Sequence, residues 1–405
     1  MRFLRALLDK QARLFEKGGK LEKLYPLYEA NDTFLFTPGH VTAGASHVRD
    51  GLDVKRLMMT VVVALTGCVY MAIYNTGYQA NLAIRAGAPM LDTWQSAGVV
   101  ALGLSFDPDQ WLACVIHGAL YYLPVLGVTF AVGGAWEALF AIVRKHEINE
   151  GFLVTGMLFP LILPPTLPLW QVALGISFGV VIGKEIFGGT GMNVLNPALT
   201  ARAFVFFAYP ANMSGDTAWI TAATTSDGVS GATWLALTAL DGDQALTGLD
   251  WGEAFMGFVP GSMGETSTLA CLLGAAVLII TQVGSWRIML SVALGTFVTA
   301  WFLNVIGSNT NPAFAVSPAW HFVLGGWAFG TVFMATDPVS APASDPGRYM
   351  YGFLIGVLVV LIRVVNPAYP EGMMLSILFM NLFAPVLDYF VVRSNVKRRK
   401  ARYAG

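Results

Sequence analysis

The sequence predicts an all-α integral membrane protein with about ten transmembrane helices, and three observations carry that reading. Of 405 residues, 55% are hydrophobic and only 12% are charged, where soluble domains average about 25% charged. Apolar runs of bilayer-spanning length, about 20 residues, recur along the chain. Basic residues gather on one side when those runs are threaded back and forth through a bilayer. So apolar a chain has too little polar surface to cover an aqueous core, and a bilayer accommodates the excess.

Residues 1–56 form an N-terminal arm. Its opening, MRFLRALLDKQARLFEKGGK, is amphipathic and basic and lacks the apolar core of a secretory signal. It suits a helix lying on the cytoplasmic membrane surface. The first membrane half covers 57–210, with spans near 57–76, 111–143, 151–167, 168–187 and 196–210. Pro160, Pro164, Pro165, Pro168 and Pro197 interrupt the last three, and each proline removes a backbone donor. Broken helices survive at membrane depth only where protein or a cavity satisfies the freed groups, so this half is expected to hold a binding region. A loop, 211–265, follows. The second half, 266–393, has spans near 266–282, 285–306, 314–335, 349–365 and 373–393, and a basic tail, 394–405, closes the chain.

With both termini cytoplasmic, this threading puts 22 of the 24 Lys and Arg residues on or near the cytoplasmic side, with Arg85 and Arg363 as exceptions. The 211–265 loop contains neither Lys nor Arg, carries seven acids, and falls outside by parity. Charge and parity agree on the span count and on an outward loop; the expected placement is a bacterial inner membrane, with this loop periplasmic. Val172-Ala173-Leu174-Gly175 recurs as Val292-Ala293-Leu294-Gly295, which common apolar residues produce as readily as an internal repeat does.

Composition and spacing exclude several functions. No basic patch interleaves with aromatics, so nucleic acid is not a partner. Cys68, Cys114 and Cys271 lie in apolar runs without a C-x-x-C pair, which speaks against an iron–sulfur cluster and against disulfides. The five histidines have no metal-ligand spacing, and no catalytic residue or metal site is assigned.

The informative motif lies in the outer loop: Asp227-Gly228-Val229-Ser230-Gly231-Ala232-Thr233. It matches the D-x-x-S-G-A-T pattern at which flavin transferases join FMN to a threonine hydroxyl through a phosphoester. Gly231 and Ala232 keep the backbone open to an enzyme and a bulky cofactor. WLALTAL, after Thr233, reads as a short helix ended by Asp241-Gly242, with Thr233 in its first turn, where free N–H groups suit a phosphate. The competing reading makes Ser230 a plain helix cap. Asn193 and Asn196, where two spans meet, present amides suited to a polar flavin edge or to capping the broken helices.

Further segments carry a resemblance. They are HVRDGLDVKRLM (47–58), RKHEINEG (144–151), LPPTLPLWQVALG (163–175), GKEIFGGTG (183–191) and NPAL (196–199). With the flavin motif they resemble the B subunits of sodium-translocating NADH:quinone oxidoreductases, from about residue 20 to 395. The D subunits of Rnf complexes share the SGAT region and rank second. The resemblance implies a urea-transporter-like fold of two inverted five-helix repeats, FMN on Thr233, and a non-covalent riboflavin. It also implies ubiquinone reduction near the cytoplasmic face, sodium export, a six-subunit complex, and a flavin transferase during maturation.

It further places Gly133 and Gly134 at a quinone site and Glu137 on the ion pathway. A glycine pair lets a flat ring approach the backbone, or simply lets helices pack. An intramembrane carboxylate is costly unless paired or functional. Asp337 and Asp388 offer the oxygen ligands that a hard cation takes. Otherwise Asp337 caps the turn before Pro338, and Asp388 pairs with Arg393 or caps. Lys184 and Glu185 read as a self-compensating pair. The reading from another class, a flavin-free channel for a small solute, leaves the 227–233 motif unexplained.

Overall fold

The computed structural model describes residues 2–15, 18–36, 54–145, 148, 150–215, 218–223, 233–366 and 371–403. Among them the protein is helical, with a lone bridge between Met90 and Ala222. The arm forms α1 (Arg2–Phe15) and α2 (Tyr25–Leu35). The first half comprises α3 (Val54–Ala64), α4 (Thr66–Arg85), α5 (Trp94–Ala101), α6 (Trp111–Arg144), α7 (Gly151–Leu161), α8 (Leu169–Val181) and α9 (Pro197–Ala208). The loop contributes α10 (Pro210–Met213), α11 (Trp234–Asp241) and α12 (Trp251–Met256). The second half holds α13 (Thr268–Ile280), α14 (Trp286–Ile306), α15 (Pro318–Val323), α16 (Trp327–Phe329), α17 (Asp345–Val365) and α18 (Met373–Tyr403).

Six helical segments are long and apolar enough to cross a membrane: Arg56–Arg85, Trp111–Arg144, Leu169–Phe187, Trp286–Ile306, Asp345–Val365 and Met373–Arg402. Shorter apolar helices run Gly151–Leu161, Pro197–Ala208 and Thr268–Ile280. The expected span at 314–335 is not one helix. Pro318 starts α15, Gly325 sits at φ +66° beyond its end, and a π-helical turn, Gly330–Met334, follows α16. Trp327 and Phe329 are buried in this broken segment, and the Trp327 indole donates to Thr296 Oγ1 on α14 at 2.9 Å. A neighbouring helix thus anchors the irregular stretch.

Glycine sets the tightest helix crossings. A Cβ on Gly77 would collide with the Cys114 carbonyl, and one on Gly118 with that of Ile73, so α4 and α6 meet backbone to backbone. Gly295 and Gly356 do the same for α14 and α17 against Phe353 and Val292. Without side chains in the way, dispersion and close approach hold such pairs where water gives no driving force. The main core joins both halves, and Cys68 and Cys271 meet in it as free thiols with sulfurs 3.8 Å apart.

The described part of the outer loop from Thr233 onward is packed. Leu235, Leu246, Ala254 and Val259 form a separate buried cluster with Val316, Val323 and Leu324. This seats α11 and α12 on the broken segment of the second half.

Candidate functional site

Two cavities lie at opposite ends of the same elements. Helix α9 begins at the basic-end cavity with Pro197 and reaches the loop-end cavity with Arg202 and Phe206; α13 runs the other way, from Thr266 just before its start to Leu278 near its end. The broken segment also crosses between them, from Leu324–Gly326 to Phe333–Val339. At 1.5 Å per helical residue the separation is roughly 10–18 Å.

The loop-end cavity, about 770 Å³, contains Thr233 in its wall with Trp219, Trp234 and Phe206. Thr233 is the N-cap of α11, not a first-turn residue: its Oγ1 accepts from Ala236 N at 3.3 Å. Asp227, Ser230, Gly231 and Ala232 lie outside the described residues. Arg202 donates to Glu265 Oε1 at 3.1 Å and to Ser262 Oγ at 3.3 Å. Glu371 lies 3.8 Å from the Arg202 guanidinium and accepts from Gly326 N at 2.8 Å.

Arg363, one of the two exceptions to the charge bias, belongs here. It is buried and donates to the carbonyls of His321, Leu324 and Glu371 at 2.8–3.1 Å. The other exception, Arg85, pairs with Asp109 at 2.7 Å. The threading counts Arg202 with the basic side, yet it stands at the loop-end cavity, so the charge bias has a third exception.

Glu265 is 4% exposed and its Oε2 has no hydrogen-bond partner among the described residues. It precedes α13, outside the spanning helices. Burial raises its carboxyl to about 7; Arg202 pulls it down and Glu371 pushes it up. A desolvated carboxylate oxygen without a donor is costly, and a ring N–H entering the cavity would satisfy it. The aromatic wall and the orphan acceptor fit a flavin ring.

The second cavity, about 750 Å³, lies at the basic end and is lined by Leu57, Lys184, Thr190, Asn193, Asn196, Thr336 and Asp337 among others. Asn196 caps α9, accepting from Ala198 N and Leu199 N at 3.0 and 3.2 Å, and donates to Asp337 at 3.4 Å. Asp337 also accepts from Val339 N and Ser340 Oγ. Asn193 donates to the Leu195 carbonyl at 2.9 Å. The buried Thr190 Oγ1 has no partner among the described residues. Three residues separated by up to 144 positions in sequence (193 to 337) therefore share one wall.

Glu137, Gly133, Gly134 and Asp388 do not line either cavity, although Glu137 is bonded to Lys184 in the basic-end wall. Glu137 pairs with Lys184 Nζ at 2.5 Å, and both are buried. Glu185 is 3.9 Å from Lys184 and pairs instead with Arg144 at 2.9 Å. The pair read from sequence neighbours is thus a four-residue network linking α6 to the end of α8. Gly133 is packed against Phe152 and Ile176, whereas a Cβ on Gly134 would meet only Phe152, at 3.9 Å. Asp388 accepts from Ala343 N at 2.7 Å, from Ser344 N at 3.0 Å and from Ser344 Oγ, which fastens α18 to the start of α17.

Sequence reasoning did not find Arg202, Glu265 and Glu371 as one site. Arg202 carried the available signal, a lone cation inside an apolar span.

Residues 41–397 match the NQR2, RnfD, RnfE family. The chain is 58% identical over 402 residues to the B subunit of the Na(+)-translocating NADH-quinone reductase of Chromohalobacter salexigens, covering 99% of this chain and 97% of that one. It is 57% identical to proteins of the same name from Pseudomonas paraeruginosa, over 404 residues, and Azotobacter vinelandii, over 405, covering 98% of this chain and 99% of each.

Proposed function

We propose, from the premise that the chain belongs to the NQR2, RnfD, RnfE family, that it is a multi-pass membrane subunit of a sodium-translocating NADH:quinone reductase. Its loop-end cavity takes FMN esterified to Thr233, and its basic-end cavity takes riboflavin beside Asn193 and Asn196. Electrons pass from the first site to the second and on to ubiquinone, coupled to sodium export.

One observation carries this reading. The threonine of the flavin-attachment pattern lines a cavity walled by Trp219, Trp234 and Phe206, beside an orphan carboxylate oxygen on Glu265. Bound flavin supplies the electron-carrying chemistry that side chains lack. The chain's own groups do the rest. Thr233 provides the acceptor hydroxyl at a helix N-terminus, where first-turn N–H groups favour a phosphate. The tryptophans offer faces for a flat ring. Arg202 and Glu265 provide its polar seat. At the other end, the buried Thr190 hydroxyl and the Asn193 amide give a neutral ring edge its hydrogen bonds.

The proposed placement is the bacterial inner membrane, with both termini cytoplasmic and Thr233 periplasmic. Arg56, Arg144 and Lys184 gather at the second cavity's end, away from Thr233, which supports that orientation. Ten membrane elements in two inverted halves are proposed, with the broken 314–335 segment as the eighth. The glycine crossings of α4 with α6 and of α14 with α17 support that symmetry. Gly133 and Gly134 are proposed for quinone, and Glu137, Asp337 and Asp388 for the ion path. The other members of a six-subunit complex, and a flavin transferase during maturation, are the partners.

The relatives named as NADH-quinone reductase subunits favour this reading over an Rnf-type subunit. Turnover driven by ferredoxin instead of NADH would reverse that choice. The test of attachment is the intact mass of the purified chain, with an excess of one FMN minus water mapped to 211–265. Fluorescence should survive denaturing electrophoresis and vanish in Thr233→Ala. A label that persists in that variant overturns the assignment. Solute flux through liposomes without any electron donor would support a channel instead.

A further inference from the structure

We infer that Glu265 and Arg202 act as an opposed pair of charges that positions the ring of the Thr233-bound flavin and sets its reduction potential. The inference rests on the flavin reading above and deepens it.

The pair is incompletely wired. Arg202 is 4% and Glu265 4% exposed. Their ion pair uses only one carboxylate oxygen, Oε1, at 3.1 Å. The second oxygen is buried without a partner among the described residues, and both side chains line the cavity that contains Thr233. A structural ion pair at this depth should satisfy its lone pairs, because an incompletely bonded buried charge is strongly unfavourable. Leaving Oε2 open makes sense where a donor arrives later. The pyrimidine edge of a flavin carries one, its N3–H.

A Cβ on Gly326 would lie 2.5 Å from Glu265 Oε1 and 2.8 Å from Glu371 Oε1. Glycine therefore lets the broken segment close over both carboxylates. Glu371 Oε1 accepts from Gly326 N, and Arg363 is engaged with three carbonyls. Glu265 and Arg202 are the opposed charges that line the cavity containing Thr233.

Reduction adds negative charge to the ring. In a water-poor cavity a fixed carboxylate opposes that charge and a fixed guanidinium favours it. The two should move the potential in opposite directions.

The test is potentiometric titration of the covalently bound flavin in the purified, assembled complex, read by its visible absorbance. Glu265→Gln should make one-electron reduction at least tenfold more favourable, a rise of about 59 mV for n = 1. Arg202→Gln should lower it by a similar factor, and Arg202→Lys should stay near the parent value. Fluorescence in denaturing gels shows in each case that the flavin is attached, so loss of the label speaks against the attachment reading and an unmoved potential speaks against this inference. If a single variant does not assemble, the double variant Glu265→Gln with Arg202→Gln leaves neither charge unpaired. It should assemble, with a potential between those of the singles and with the visible band displaced from the parent's. Shifts of the same sign in both single variants, no shift in either, or a double variant with an unmoved band would overturn the proposal.

Discussion

Asn196 and Asp337 stand 141 positions apart and are joined by an amide–carboxylate hydrogen bond of 3.4 Å. Asn196 starts α9 in the first half, and Asp337 ends the broken segment of the second. Their contact closes the basic-end cavity where the halves meet. Asn196→Ala should remove both the α9 cap, worth about 0.5–2 kcal/mol, and this bridge. Thermal unfolding of the purified complex should register that loss, and riboflavin content should fall with it. Retention of a full riboflavin complement would place that cofactor elsewhere.

Lys184 and Glu137 make a second prediction. Removing one member of a buried ion pair costs about 3–5 kcal/mol, because the other charge is stranded. Lys184→Met should destabilise the complex by about that much, and adding Glu137→Gln should restore most of it. Sodium dependence of turnover, measured in the double variant, separates roles. A raised sodium requirement there assigns Glu137 to the ion path as well as to the fold.

Gly133 and Gly134 should respond differently to alanine. The new methyl at Gly133 strikes the Phe152 ring and lies 2.9 Å from Ile176. Overpacking of this kind costs about 1–3 kcal/mol. At Gly134 the nearest atom is 3.9 Å away, so Gly134→Ala should leave the melting temperature unchanged. A change in apparent quinone affinity in Gly134→Ala alone would assign that face to the quinone.

Glu265 yields a pH prediction. Burial raises its carboxyl to about 7, with Arg202 opposing and Glu371 reinforcing the rise. As pH falls through that value the carboxylate is neutralised, and the potential of the Thr233-bound flavin should rise by more than the flavin's own protonation provides. The added inflection should be absent in Glu265→Gln. An identical pH profile in both proteins would show that this carboxyl does not titrate beside the ring.

Thr233→Ser keeps a hydroxyl that both caps α11 and accepts a phosphoester, so flavin loading should persist. Thr233→Val keeps the shape and loses both functions, at about 0.5–2 kcal/mol for the cap. Gel fluorescence and unfolding of the two variants check this together.

The sequence by itself determined the membrane class and the helix at 234–241 with its glycine stop. These are local properties: span length, charge bias and a contiguous motif need no partner from elsewhere in the chain. The site's polar walls were not local. Arg202 meets Glu265 across 63 positions, and Glu137 finds Lys184 across 47. The adjacent Lys184 and Glu185 suggested a different pairing because neighbours in sequence were the only partners visible. The break at 314–335 was hidden for a related reason. Its residues are as apolar as those of a helix, and only packing against Thr296 and the outer-loop cluster of Leu235, Leu246, Ala254 and Val259 makes the irregular backbone tolerable. Hydrophobicity fixes which segments enter the bilayer, whereas pairing of buried charges depends on which helices the glycine crossings bring together.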